Sequence, residues 1–133
     1  MRLSSRTEYA LLALIYIGRM ENGIYAHGQE ISEQQDIPMS FLQQILLSLK
    51  QARLVKSIKG KSGGYALSKR PSEISIAEVI RLFDGPLAAT RSVSKFFQED
   101  TPIAVEKKVT RLLKEIRDYV AVKLENTTLE EII

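Results

Sequence analysis

Between Lys50 and Arg70 stand seven basic residues, Lys50, Arg53, Lys56, Lys59, Lys61, Lys69 and Arg70, with no Asp or Glu among them. The flanking residues 1–49 and 71–133 each balance to −2, so the formal net charge of +3 comes entirely from this one segment. Such a concentration of positive charge suits a polyanion, because neutralising phosphates releases condensed counterions. Taken alone, the patch would serve DNA, RNA or an anionic membrane surface.

Other chemistry is poorly supplied. The chain has no Cys, which removes disulfides, thiolate-held iron–sulfur clusters, Cys-type zinc sites and thiol nucleophiles. Its one His, His27, lies beside Gly28 in an expected loop, so nucleophile–base pairs and metal clusters cannot be assembled. The expectation is no enzyme, no cofactor and no metal. Arg2 and Arg6 ahead of the apolar run Tyr9–Ile17 have the outline of a signal peptide, but Glu8 interrupts it and no small-residue cleavage site follows. The run is too short to span a bilayer, which takes about 20 residues. A buried first helix is the better reading, with a cytoplasmic protein and no membrane partner.

The elements that must position the basic segment follow from pattern. A helix from about Arg6 to Met20 is apolar on nearly all sides, with a capping-box spacing at Ser5 and Glu8. Asn22-Gly23 marks a turn, Gln29–Gln35 a short polar helix, and Asp36-Ile37-Pro38 a break. Ser40 and Gln43 have capping-box spacing ahead of an amphipathic helix whose apolar positions are Leu42, Ile45, Leu46 and Leu49. Leu54–Ile58 and Tyr65–Ser68 read as paired strands around a glycine-rich tip bearing Lys59 and Lys61. Gly60–Gly64 lacks Walker spacing and opens into no helix, so a basic hairpin is favoured over a phosphate loop.

Ser75 and Glu78 form another capping box, opening a helix that ends near Asp84-Gly85-Pro86. Residues 87–102 show no periodicity. A long helix from about Ile103 to Glu125 follows, with Val105, Val109, Leu112, Leu113, Ile116, Tyr119, Val120 and Leu124 as its apolar positions. Such a stripe can pack on its own parent domain, but the segments before it already make a complete small domain, so a dimer seam is the favoured reading. Thr127 and Thr128, spaced from Glu130 and Glu131, read as caps of a final short turn or helix. Helix–turn–helix followed by a basic hairpin is the winged-helix order, in which the second helix enters the major groove and the hairpin reaches phosphate or minor groove.

On these residues the chain resembles the Rrf2 family of bacterial winged-helix regulators, of the IscR, NsrR and CymR type. The resemblance lies in Met1-Arg2-Leu3-Ser4 with Tyr9-Ala10, in Ser40–Leu46, and in Leu54–Gly60 with Gly63-Gly64-Tyr65. It continues through Ile74, Ser75, Ile76, Val79 and Ile80 to the region of Leu129. It implies that Ser40, Phe41, Gln43 and Gln44 read bases, with core packing the other reading for Phe41, that Lys59 enters the minor groove, and that Ser57, Gly60 and Lys61 lie beside phosphate. Glutamine can pair bidentately with adenine, and lysine suits the negative potential of a narrow minor groove.

Three departures matter. Cluster-holding members place cysteines after the fourth helix, where this chain has Ala89-Thr90-Arg91-Ser92, so cluster sensing does not carry over. Asp36 and Arg53 stand where glycine is expected, the first at the turn and the second after the recognition helix. The expected fold is mainly α with a small β-hairpin: a winged helix-turn-helix over 1–86, an irregular linker over 87–102, and a dimerisation helix and tail over 103–133. Arg91 and Lys95 in the linker are the candidate effector residues. The dimer seam is assigned to Val105, Val109, Leu112, Leu113, Ile116, Val120 and Leu124. The expected function is sequence-specific transcription regulation, as a repressor, by a homodimer on palindromic double-stranded DNA, modulated by a small molecule or a protein. The alternative is a winged-helix module that binds protein and little or no DNA, and the acid-free basic segment argues against it.

Overall fold

The computed structural model describes residues 2–61, 63–87 and 101–133. Among these residues five α-helices and one hairpin follow in the order α1 (Ser5–Gly18), α2 (Gly28–Gln35), α3 (Met39–Gln51), β1 (Val55–Ile58), β2 (Gly64–Leu67), α4 (Ile76–Asp84) and α5 (Lys107–Glu125), with short 3-10 turns at Pro71–Glu73, Pro102–Val105 and Leu129–Ile132. The mainly helical fold with one antiparallel hairpin agrees with the sequence expectation. Arg91 and Lys95, and nearly all of the linker that holds them, lie outside the described residues.

Helix α1 is the axis of the core. Ala10, Ala13, Leu14 and Ile17 recur at helical spacing and are buried, while Leu11, Leu12, Ile15 and Tyr16 pack partly buried around them. It therefore touches α2, α3, α4, β2 and the C-terminal turn. Its cap is Ser4, whose Oγ accepts from the Thr7 backbone N–H at 3.3 Å, one residue earlier than the expected Ser5. The Tyr16 hydroxyl donates to Glu30 and ties α1 to α2. That hydrogen bond, with burial and the Glu30 charge, raises the Tyr16 phenol above its ordinary value.

Helix α2 inserts a single side chain, Ile31, fully buried. Truncating it to Ala would cost roughly 2–5 kcal/mol, because α2 has no other apolar anchor. The turn into α3 is left-handed at Asp36, φ 52° and ψ 48°. It is held by Ser32 Oγ donating to the Ile37 carbonyl at 2.6 Å, and the Ile37 N–H donates to the Ser32 carbonyl at 3.0 Å. Aspartate tolerates this geometry better than most residues, so glycine is not required.

The start of α3 corrects a sequence expectation. Ser40 lies inside the helix, whose cap is Pro38 with no side-chain capping bond. The first intrahelical bonds run from the N–H groups of Phe41 and Leu42 to the Pro38 carbonyl, both at 3.0 Å. Ser40, in the first turn, is exposed. At the other end Arg53 takes φ 61°, the left-handed geometry that turns the chain out of α3 and into β1. A side chain there costs roughly 1–2 kcal/mol relative to glycine.

The C-terminal end returns to this core. The Leu129 N–H donates to the Ile74 carbonyl at 2.8 Å and the Ile76 N–H to the Thr127 carbonyl at 2.9 Å. Leu129 is fully buried in the same cluster as α1. Two of the expected capping boxes are present, Ser75 with Glu78 and Thr128 with Glu131. A smaller cluster joins Ile76, Ala77, Ile80 and Leu87 to Ala121 of α5, with Leu124 partly buried against it. The long C-terminal helix is shorter than its periodicity suggests. Pro102–Val105 is a separate 3-10 turn, and Glu106, at φ −86° and ψ 86°, breaks the chain before α5 begins.

Candidate nucleic-acid interface

Helices α2 and α3, joined across Asp36–Pro38, form the helix-turn-helix pair. Burial of Leu42, Ile45, Leu46 and Leu49 fixes the roll of α3. Ser40, Gln43 and Gln44 are consequently exposed. Phe41 is 47 % exposed while its ring meets Tyr9 of α1, centroids 6.0 Å apart and planes at 49°. It belongs neither to the core nor wholly to solvent: α1 braces it at the front of α3. Sequence reasoning leaves out Leu47, which is 55 % exposed among the glutamines. The signal was its spacing, since Leu47 falls outside the buried i, i+3, i+4, i+7 set that begins at Leu42.

The hairpin follows α3 directly and contacts it through β1. Its register pairs Val55 with Leu67, Lys56 with Ala66, Ser57 with Tyr65 and Ile58 with Gly64. Tyr65 also bridges Ala26, its N–H donating to the Ala26 carbonyl at 2.7 Å and its carbonyl accepting from the Ala26 N–H at 2.9 Å. That bridge fastens the wing to the loop before α2. Two glycines are required by contact. A Cβ on Gly63 would lie 2.1 Å from the Ile58 carbonyl oxygen, and one on Gly64, at φ 127°, would lie 2.5 Å from that of Ala26. Beyond them Lys59, Gly60 and Lys61 are exposed, and Ser57 is half-buried on β1.

All seven basic side chains of the segment are exposed. Two have acidic neighbours, Lys69 with Glu78 at 3.9 Å and Arg70 with Glu73 at 3.7 Å. Lys50, Arg53, Lys56, Lys59 and Lys61 form no ion pair among the described residues. The positive field is thus least compensated at the end of α3 and along the wing.

Helix α5 divides its apolar residues between two faces. Ala121 is buried and Leu124 partly buried against α4, and Arg81 Nη2 reaches Glu125 Oε1 at 2.5 Å. Leu113 and Val120 are half-buried. Val109, Leu112, Ile116 and Tyr119 are 39 %, 54 %, 48 % and 76 % exposed, at alternating spacings of three and four. Val105, 74 % exposed, belongs to the preceding 3-10 turn and not to the helix. Val122, 56 % exposed, lies outside the expected stripe.

Comparison with known proteins agrees with this architecture. The family model for Rrf2, described as an iron-dependent transcriptional regulator, matches residues 3–133. An HTH-type transcriptional regulator of Mycobacterium tuberculosis is 41 % identical over 93 residues, covering 70 % of this chain and 58 % of that protein. The chain therefore spans less than two thirds of that relative. The regulator CymR of Bacillus subtilis is 29 % identical over 132 residues, covering 99 % of this chain and 89 % of the relative. The solved structure of CymR, the global cysteine regulator of B. subtilis, superposes with a TM-score of 0.80 over 99 % of this chain and 95 % of that one. These relatives are named as regulators of transcription, not as enzymes.

The iron dependence in the family's description does not fit this chain's donor set. Cysteine is absent from the sequence, and no group of three or more His, Asp or Glu side chains among the described residues is placed to hold a metal ion. Nor, among them, is any helix long and apolar enough to cross a membrane. The winged helix-turn-helix geometry, the match over residues 3–133 and the likeness to CymR along nearly the whole chain together establish that this chain belongs to the Rrf2 family of transcriptional regulators.

Proposed function

We propose that the chain binds a palindromic DNA operator in the cytoplasm as a homodimer, with α3 in the major groove and the wing along phosphate and minor groove. The observation that carries this reading is the pairing of an exposed, acid-free α3 surface, Ser40, Phe41, Gln43 and Gln44, with a wing whose Lys59 and Lys61 have no acidic partner among the described residues. Residues 1–86 supply most of this DNA-binding unit. The exposed row Val109, Leu112, Ile116 and Tyr119 repeats at coiled-coil spacing and supports pairing of two α5 helices. A two-fold dimer demands two half-sites related by the same symmetry, hence a palindrome. Occupying such a site within a promoter excludes polymerase sterically, so repression is the simplest outcome.

The test is selection of bound sequences from random duplex DNA, followed by sedimentation of the complex. A recovered inverted repeat bound by two chains supports the reading. A pool without sequence preference would overturn it.

A further inference from the structure

We infer that Leu47 is a specificity-determining residue that reads thymine through its 5-methyl group. The inference rests on the reading of α3 as the helix in the major groove. Ser40, Gln44, Leu47 and Gln51 fall at i, i+4, i+7 and i+11, a single row on the side of α3 opposite the buried Leu42, Ile45, Leu46 and Leu49. All four are exposed, and three are polar. A lone exposed leucine on an ordinary surface needs no explanation. This one stands in the centre of the row that faces the groove, 55 % exposed, with Gln43 and Gln44 one turn before it and Lys50 and Gln51 one turn after.

The chemistry of the neighbours narrows what it meets. Glutamine can make a bidentate pair with adenine, and each A·T pair also presents the thymine methyl in the major groove, where apolar side chains recognise it. Leu47 follows Gln44 by three residues, about 4.5 Å along the helix axis. Helical side chains lean toward the N-terminus, which carries the isobutyl group back toward Gln43 and Gln44. A base-pair step is about 3.4 Å, so Leu47 falls against the same pair as Gln44 or the next one. Phe41, 47 % exposed, supplies a second apolar group on the other side of the glutamines.

The experiment uses the full chain and the duplex recovered by selection, replacing thymines one at a time with deoxyuridine, which removes only the methyl group. With the parent protein, deoxyuridine at one thymine in each half-site should weaken binding by about fourfold per methyl lost from an apolar contact. Leu47→Ala and Leu47→Gln should abolish that penalty at those positions, and Leu47→Met should retain it. Circular dichroism and melting check that the variants fold; the side chain is half exposed, so its truncation leaves the core intact. The inference is overturned if a selected duplex binds normally yet the deoxyuridine scan is identical for parent and Leu47→Ala, or if its half-sites contain no thymine. A protein that selects no sequence at all overturns the DNA-reading assignment of α3, and this inference with it.

Discussion

Tyr9 and Phe41 set their rings 6.0 Å apart at 49°, joining the first helix to the front of α3 through the one aromatic residue that α3 exposes. Tilted ring pairs contribute about 0.5–1.5 kcal/mol beyond area burial. Tyr9→Leu keeps an apolar group on α1 and removes the brace. The expected outcome is a melting temperature lowered by a few degrees and a larger loss of affinity for the selected operator than for scrambled duplex. Equal losses on both duplexes would show that Phe41 is not part of base recognition.

Reading and anchoring are separable in the same way. Gln43→Ala should cost about 1–3 kcal/mol on the selected operator and little on scrambled DNA. Lys59→Ala and Lys61→Ala act through charge, so both duplexes should bind more weakly, with a salt dependence flatter by about one unit per lost phosphate contact. Titrations across a salt series distinguish the two patterns. If Gln43→Ala weakens both duplexes equally while Lys59→Ala changes neither, the wrong elements have been placed in the grooves.

Helix α5 offers a variant that can lose the dimer and keep the fold. Leu112 and Ile116 are 54 % and 48 % exposed in the single chain, so glutamate there meets solvent in a monomer and an apolar seam in a dimer. Burying unpaired charge costs several kcal/mol at least. The double Leu112→Glu, Ile116→Glu variant should sediment as a monomer with native helicity and bind the palindrome weakly. A variant that stays dimeric would place the interface elsewhere.

Asp84 joins α4 to the start of α1 and gives stability a defined pH dependence. Burial alone would raise its carboxyl, but the neighbouring Ser4 hydroxyl, the Ser4 N–H donating at 3.1 Å and the Thr7 hydroxyl together outweigh it and hold the value below the ordinary 3.8. A folded-state value below the unfolded one means stability that is complete above 3.8 and is lost as the pH falls through the lower folded value. Asp84→Asn should therefore be less stable than the parent at neutral pH, the difference shrinking in the acid range. Denaturant melts from neutral to strongly acidic pH measure it; a constant difference would remove Asp84 from the account.

Iron chemistry gives the last expectation. Supplied with ferrous iron and sulfide under anaerobic conditions, the purified chain should retain neither in stoichiometric amount, because it has no thiolate to hold a cluster. Stoichiometric iron with acid-labile sulfide would contradict this reading.

Local chemistry written in the sequence determined most of the elements. The i, i+3, i+4, i+7 pattern from Leu42 set the buried face of α3, the capping box Ser75–Glu78 opened α4, and glycines with lysines between two short strands marked the wing. The acid-free run from Lys50 to Arg70 located the candidate interface for the same reason: charge and backbone freedom are properties of residue type. Contacts between distant residues were decided only by the fold. Ser40 does not cap α3: the helix begins at Met39, one residue before it, with Pro38 at the cap position and the first intrahelical bonds running to the Pro38 carbonyl. Periodicity ran Ile103 and Val105 into α5, whereas the backbone at Glu106 separates them. The apolar stripe of α5 could not declare which residues meet α4 and which meet solvent, since both faces are written in the same residue types. Nor could the sequence say that Leu129 closes the core around α1, a contact that exists only after the chain beyond α5 has folded back on Ile74.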